Sequence, residues 1–216
     1  VLDENGKITY STRSYGLLES ELCGEYQKKN TNTILCAVDE LKRIGIIHDV
    51  SSVQEGFRHV SELTGLRGRW EKLSEKPLVI CDTGHNVGGW EYLSRQIAIQ
   101  KCKTLRIVFG MVDDKDLETV MEMMPQNAVF YFTQATTHRA IPVDKVAEVG
   151  RKHGLHGTEY STVRAAYLAA IEDACSDDFI FIGGSSYVVS DLLSFIGDEI
   201  PCKGVKTLMH SKDRTL

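Results

Sequence analysis

Two short segments, Leu78-Val79-Ile80 and Phe179-Ile180-Phe181-Ile182, constrain this chain more than anything else in it. Each is apolar at every position. A strand of that kind must be covered on both faces, as in a parallel sheet sandwiched between helices, whereas a half-solvated strand alternates polar and apolar residues. Around these segments strand-like and helix-like stretches follow one another. Strands are predicted over 78–82, 104–109, 129–133, a short 157–160 and 179–182, and helices near 87–100, 116–124, 143–153, 163–175 and 187–196. The reading is a doubly wound α/β domain over 53–198, with a mostly parallel sheet of about six strands. Residues 199–216, polar and Lys-rich, read as a surface tail.

The first part of the chain has another pattern. Asn5-Gly6 reads as a tight turn between two short strands, and the stretch 30–46 places Ile34, Leu35, Val38, Leu41 and Ile44 at helical spacing, with Gly45 able to end the helix. A strand pair and one helix make too small a core to stand alone. Residues 1–52 are therefore expected to be the tail end of a larger domain that begins upstream, with Asp49-Val50-Ser51-Ser52 as the linker.

Charge and cysteine usage narrow the function classes. A net charge of -5 and a pI near 5.8 provide no broad positive field, so nucleic acid is not an expected partner and any anion must be held locally. No apolar run approaches the ~20 residues of a membrane span and no leader pattern opens the chain, so a cytoplasmic protein is expected. Cys23, Cys36, Cys81, Cys102, Cys175 and Cys202 stand singly, without zinc spacing, and read as reduced structural thiols.

In a doubly wound sheet the chemistry lies where strands end and helices begin. Four such turns stand out. In Asp82-Thr83-Gly84-His85-Asn86, Asp82 can accept hydrogen bonds from sugar hydroxyls, Gly84 lets backbone approach a ligand and His85 can donate to an anion; equally, Asp82 or Asn86 caps the next helix and His85 is solvated. As metal ligands Asp82 and His85 are too few. In Gly110-Met111-Val112-Asp113-Asp114-Lys115-Asp116, Lys115 can hold a carboxylate or phosphate, or is merely exposed beside an Asp113 or Asp114 cap. In Ala135-Thr136-Thr137-His138-Arg139-Ala140-Ile141-Pro142, Arg139 offers a planar fork to a carboxylate. In Gly183-Gly184-Ser185-Ser186-Tyr187, the glycines free backbone N–H groups and Ser185 either donates to a ligand or caps a helix. This is not the G-x-S-x-G elbow of a hydrolase.

Taken in order, and with Gly24-Glu25-Tyr26-Gln27-Lys28-Lys29-Asn30 and Gly68-Arg69-Trp70-Glu71 upstream, these turns resemble the C-terminal half of the folylpolyglutamate and dihydrofolate synthases of the Mur ligase family, up to about residue 197. That family usually has Asp-Gly-Ala-His-Asn-Pro where this chain has Asp-Thr-Gly-His-Asn-Val, a departure that keeps the aspartate and histidine. The resemblance implies an ATP-dependent ligase, monomeric, that joins L-glutamate to folate or dihydropteroate through an acyl phosphate. It further implies Asn30 near adenine, Arg69 near the phosphates, Asp82 and His85 on the ribose and phosphate side of ATP, and Lys115, Ser185 and Arg139 around the amino acid, with chemistry assigned to Asp82, His85 and Lys115. The family's G-x-x-G-K-[ST] phosphate loop does not occur in this sequence. That loop and the Mg2+ ligands are expected in a preceding N-terminal domain, and this chain alone is expected to be inactive. A different Mur-type amino-acid ligase and a non-catalytic flavodoxin-like binding module remain the alternatives.

Overall fold

The computed structural model describes residues 7–199, which divide into two compact units between Glu71 and Lys72. The expected Asn5-Gly6 turn, the tail and Cys202 lie outside the described residues.

In the first unit, strands β1 (Ile8–Thr12) and β2 (Gly16–Ser20) pair antiparallel, with Ile8 opposite Ser20 and Thr12 opposite Gly16. This hairpin turns at 13–15, where Thr12 Oγ1 accepts from the Tyr15 N–H at 3.1 Å. Helix α1 (Gln27–Arg43) begins three residues earlier than the apolar spacing predicts and ends at Gly45, whose φ of 77° suits a residue without a Cβ. The segment expected as a linker instead opens helix α2 (Val50–Arg58): the Asp49 carboxylate accepts from the Ser52 N–H at 2.7 Å, and Val53 and Phe57, one turn apart, are buried. A short helix α3 (Val60–Thr64) follows. Tyr15, Leu18, Val53 and Phe57 form the core of this unit. It is small, and Ile34, Ile44, Ile46 and Leu63 remain exposed around it.

The second unit carries a six-stranded sheet in the order β3-β4-β8-β5-β6-β7. Its strands are β3 (Glu71–Glu75), β4 (Leu78–Asp82), β5 (Leu105–Phe109), β6 (Val129–Phe132), β7 (His156–Glu159) and β8 (Phe179–Gly183), and the pairs from β4 to β7 are parallel. Four helices connect β4 through β8, α4 (Val87–Ala98), α5 (Leu117–Glu122), α6 (Val143–Lys152) and α7 (Val163–Glu172), and α8 (Ser186–Glu199) follows β8. The expected α/β fold with a mostly parallel sheet is present, and the sequence pattern had not shown β3, a polar edge strand.

Both sheet faces are covered, as the unalternating strands require. Val79, Cys81, Val108, Tyr131, Ile180 and Ile182 pack with Val163, Ala166, Ala170, Val188 and Leu192 of α7 and α8. On the other face Trp90 of α4 meets Phe109 and Phe181 edge-on, at ring separations of 5.7 and 5.8 Å, and Gly150 of α6 sits so close to the Phe132 ring that a Cβ there would lie 2.7 Å from it. The chain thus steps outward from β4 through β5 and β6 to β7, then returns so that β8 fills the gap between β4 and β5. At the strand starts a buried ion pair closes the sheet. Arg106 donates to Asp178 (3.1 Å) and to the Tyr131 hydroxyl (2.9 Å), while Asp178 also accepts the N–H groups of Thr104 and Cys175 at 3.1 and 3.0 Å.

Candidate functional site

The reversal of strand order creates a crevice at the carboxyl ends of β4, β8 and β5, where open α/β sheets take their ligands. Asp82 and Phe109 both face Gly183 in register, so the turns after these three strands stand side by side, with the turn after β6 next to them. All four turns singled out in the sequence therefore share one edge.

In the first, Asp82 is fully buried and its carboxylate accepts the Gly84 N–H at 2.7 Å, folding the turn back on itself. A Cβ at Gly84 would lie 2.2 Å from the Leu93 Cδ1, so a larger residue there would have to displace that buried leucine of α4. Asn86, not Asp82, caps α4, accepting from Gly89 N–H at 2.8 Å. His85 is half-buried and not wholly free to donate. Its Nδ1 is 2.9 Å from the Thr83 carbonyl, so that nitrogen carries a proton and Nε2 is the one left to meet a ligand. A neutral His85 then accepts at Nε2 from a hydroxyl, and only the protonated ring donates there to an anion. Beside it, the buried Thr83 hydroxyl has no hydrogen-bond partner.

At the β8 turn Gly184 has a φ of 104° and lies against Gly110, where a Cβ would be 2.3 Å from the Gly110 carbonyl oxygen. Ser185 is buried, and its hydroxyl oxygen accepts the Val188 N–H at 3.1 Å, leaving its own proton to donate.

The turns after β5 and β6 are tied by backbone. Val112 bridges Ala140, Asp113 N–H donates to the Arg139 carbonyl and Ile141 N–H to the Met111 carbonyl, both at 2.9 Å. The second turn is also pinned to α8 by Thr136 N–H donating to Asp191 at 2.6 Å. On this frame Lys115 and Arg139 share one oxygen of Asp114, at 3.1 and 2.7 Å. The Tyr187 ring, two residues past Ser185, stands 6.0 Å from the Arg139 guanidinium. Lys115 and then Arg139 hold the Asp114 carboxyl below its ordinary range, and Tyr187 followed by Asp114 keeps Arg139 firmly charged. The cap of α5 is Asp116, which accepts from Thr119 N–H at 3.0 Å, so neither Asp113 nor Asp114 serves that purpose. Asp114 and Tyr187 were the contributors the sequence reading passed over. Each sat beside a residue already singled out, but their common partner Arg139 lies far from both in the chain.

Asn30 and Arg69 belong to the first unit. Asn30 is exposed on α1, its amide donating to Gln27 at 2.9 Å, and Arg69 precedes β3 in a bend where the Gly68 N–H donates to Glu71 at 2.7 Å. Among the described residues no group of three or more His, Cys, Asp or Glu is placed to hold a metal ion. For a nucleotide the donor set fits: a buried acceptor at Asp82, an unpartnered hydroxyl at Thr83 and the imidazole of His85 lie on one turn of four residues.

A doubly wound domain with a glycine-lined edge, acceptors at one turn and paired cations two strands away is the class of fold whose switch-point edge offers groups suited to anionic ligands. Comparison with known proteins makes the class specific. Residues 68–186 match the model of the Mur ligase glutamate ligase domain, and the chain belongs to that family. It is 27% identical over 184 residues to the dihydrofolate synthase/folylpolyglutamate synthase of Escherichia coli K12, covering 85% of this chain and 41% of that protein. The chain therefore spans about two fifths of the length of this curated relative. The structure of E. coli FolC in complex with DHPP and ADP superposes with a TM-score of 0.70 at 24% identity, over 87% of this chain and 43% of that one. The Yersinia pestis bifunctional folylpolyglutamate synthase/dihydrofolate synthase complexed with AMPPNP and Mn ion gives 0.59 at 27% identity, over 70% and 35%.

Proposed function

We propose that this chain is the amino-acid-accepting part of an ATP-dependent ligase that joins L-glutamate to a folate or to dihydropteroate through an acyl phosphate, releasing ADP and phosphate. The observation that carries the proposal is the convergence of Lys115 and Arg139 on a single carboxylate at the switch-point edge of a glutamate ligase domain. L-glutamate brings two carboxylates and an amine that must be neutral to attack. Its site needs at least two cationic or hydrogen-bonding anchors, and Lys115, Arg139 and the Ser185 hydroxyl supply them. Asp82, Thr83 and His85, two strands away, serve the ribose and phosphate side of ATP, with Asn30 toward adenine and Arg69 toward the phosphates. Residues 1–52 belong in this reading to a central ATP-binding domain continued upstream, helix α2 going with them because Val53 and Phe57 share their core, and the exposed Ile34, Ile44 and Ile46 fit apolar surface that such a domain would cover. The protein's work is positioning and charge neutralisation, because the acyl phosphate is already reactive.

Lys115→Ala in the full-length protein is expected to raise the KM for L-glutamate about 10- to 100-fold, the loss of one charge-assisted hydrogen bond, and to change the KM for ATP less than about twofold. Steady-state kinetics with each substrate varied in turn decide it; an equal rise in both constants removes the amino-acid site. The 216-residue chain by itself is expected to turn over neither ATP nor glutamate, since its sequence holds no γ-phosphate loop. Turnover that disappears on Asp82→Ala would contradict that reading of the chain.

A further inference from the structure

We infer that Asp114 is a built-in competitor at the amino-acid site: its carboxylate occupies Lys115 and Arg139 in the place that an incoming substrate carboxylate takes. The inference rests on the reading of those two cations as glutamate anchors.

Asp114 has no other task in the fold that its contacts reveal. Among the described residues its carboxylate meets Lys115 and Arg139 and accepts no backbone N–H, and the helix cap that an aspartate here would ordinarily provide is made by Asp116 instead. What it does hold is two cations on one oxygen, Oδ2, at 3.1 and 2.7 Å. The backbone that carries the cations does not depend on Asp114. The Val112–Ala140 bridge and its two flanking backbone hydrogen bonds fix the two turns, and Tyr187 stands beside the Arg139 guanidinium. Withdrawing Asp114 therefore leaves both donors rooted at the same edge. The cluster is open enough for exchange, with side-chain exposures of 46% for Asp114, 38% for Arg139 and 28% for Lys115. An entering carboxylate is chemically the same group as the one it replaces, so both cations stay neutralised through the exchange. The affinity of the site is then the difference between two carboxylates and is set by how firmly Asp114 is held.

The test is calorimetric titration of the full-length protein with L-glutamate, comparing wild type with Asp114→Asn, Asp114→Glu, Lys115→Ala and Arg139→Ala. Asp114→Asn removes the competing charge and is expected to tighten L-glutamate binding about two- to tenfold, the range for loss of two exposed ion pairs. Asp114→Glu keeps a carboxylate and should stay near wild type, while Lys115→Ala and Arg139→Ala weaken binding. A residue that merely shapes the turn would do the opposite, weakening binding in the Asn variant. Unchanged or weaker binding in Asp114→Asn, with binding still lost in Arg139→Ala, overturns the competitor role alone. Glutamate affinity indifferent to Lys115→Ala and Arg139→Ala sinks the amino-acid site itself, and the competitor with it.

Discussion

Gly184→Ala is expected to destabilise the sheet unit by about 2–6 kcal/mol, with a fall in Tm of several degrees for each kcal/mol. Two penalties combine at this residue. Its φ of 104° lies where L side chains are rarely found, at a cost of about 1–3 kcal/mol. The added methyl would also stand 2.3 Å from the Gly110 carbonyl oxygen and 2.6 Å from the Phe109 ring, and overpacking of that kind costs about 1–3 kcal/mol more. Neither neighbour can easily yield. Gly110 is itself pressed against Thr133, and Phe109 is fully buried against Trp90. Gly197→Ala is the matched control, a helix position with nothing within 4 Å, and should be neutral or stabilising by under about 1 kcal/mol. Thermal and urea melts of the two variants check this; equal melting points would mean that the β8 and β5 turns are not in contact.

Asp178→Ala is expected to cost about 3–5 kcal/mol, because it strands the largely buried Arg106 guanidinium and frees the Thr104 and Cys175 N–H groups together. The same group gives the unit an acid limit. Burial pushes the Asp178 carboxyl up, but the Cys175 N–H, Arg106 and Thr104 together outweigh it and leave the group below its ordinary range. A carboxyl depressed in the folded state contributes stability that is complete above its unfolded value, near 4, and is lost as pH falls through the folded value. Asp178→Asn cannot titrate. The stability gap between wild type and this variant should be constant at neutral pH and narrow below about pH 4, as read from urea midpoints across pH. A gap independent of pH would mean that the carboxylate is not ionised in the folded protein.

What could be read from sequence was what local chemistry determines. The unalternating β4 and β8 announced a sheet covered on both sides, and the glycines and charged residues after the strands announced the edge where ligands meet it. Other features depend on partners far along the chain. Nothing within Phe179–Gly183 says that it lies between β4 and β5 and not at an edge, and yet this insertion places the four turns together. The three acids Asp113, Asp114 and Asp116 look alike in sequence, but only the backbone direction at each decides that Asp116 caps α5 and Asp114 meets Arg139. β3 was hidden because Glu-Lys-Leu-Ser-Glu carries one large apolar side chain, as an edge strand can. Helix α2 had a usable signal, since Asp49 followed by Val53 and Phe57 is a cap with an i, i+4 apolar pair. Reading Asp-Val-Ser-Ser as a linker gave polarity more weight than that spacing.

The late return of β8 has a consequence for how the protein is made. Until residues 179–183 have left the ribosome, β4 and β5 have no strand between them and the sheet cannot close. A nascent or truncated chain ending before that point exposes two apolar strand edges, lacks the Ser185 turn and leaves the Asp82 turn unconnected to the turns after β5 and β6. Completing the middle of the sheet and assembling the crevice are one event. A chain cut short during synthesis is therefore left recognisable to quality control by its open strands, and a chain that has closed its sheet has also built its binding edge.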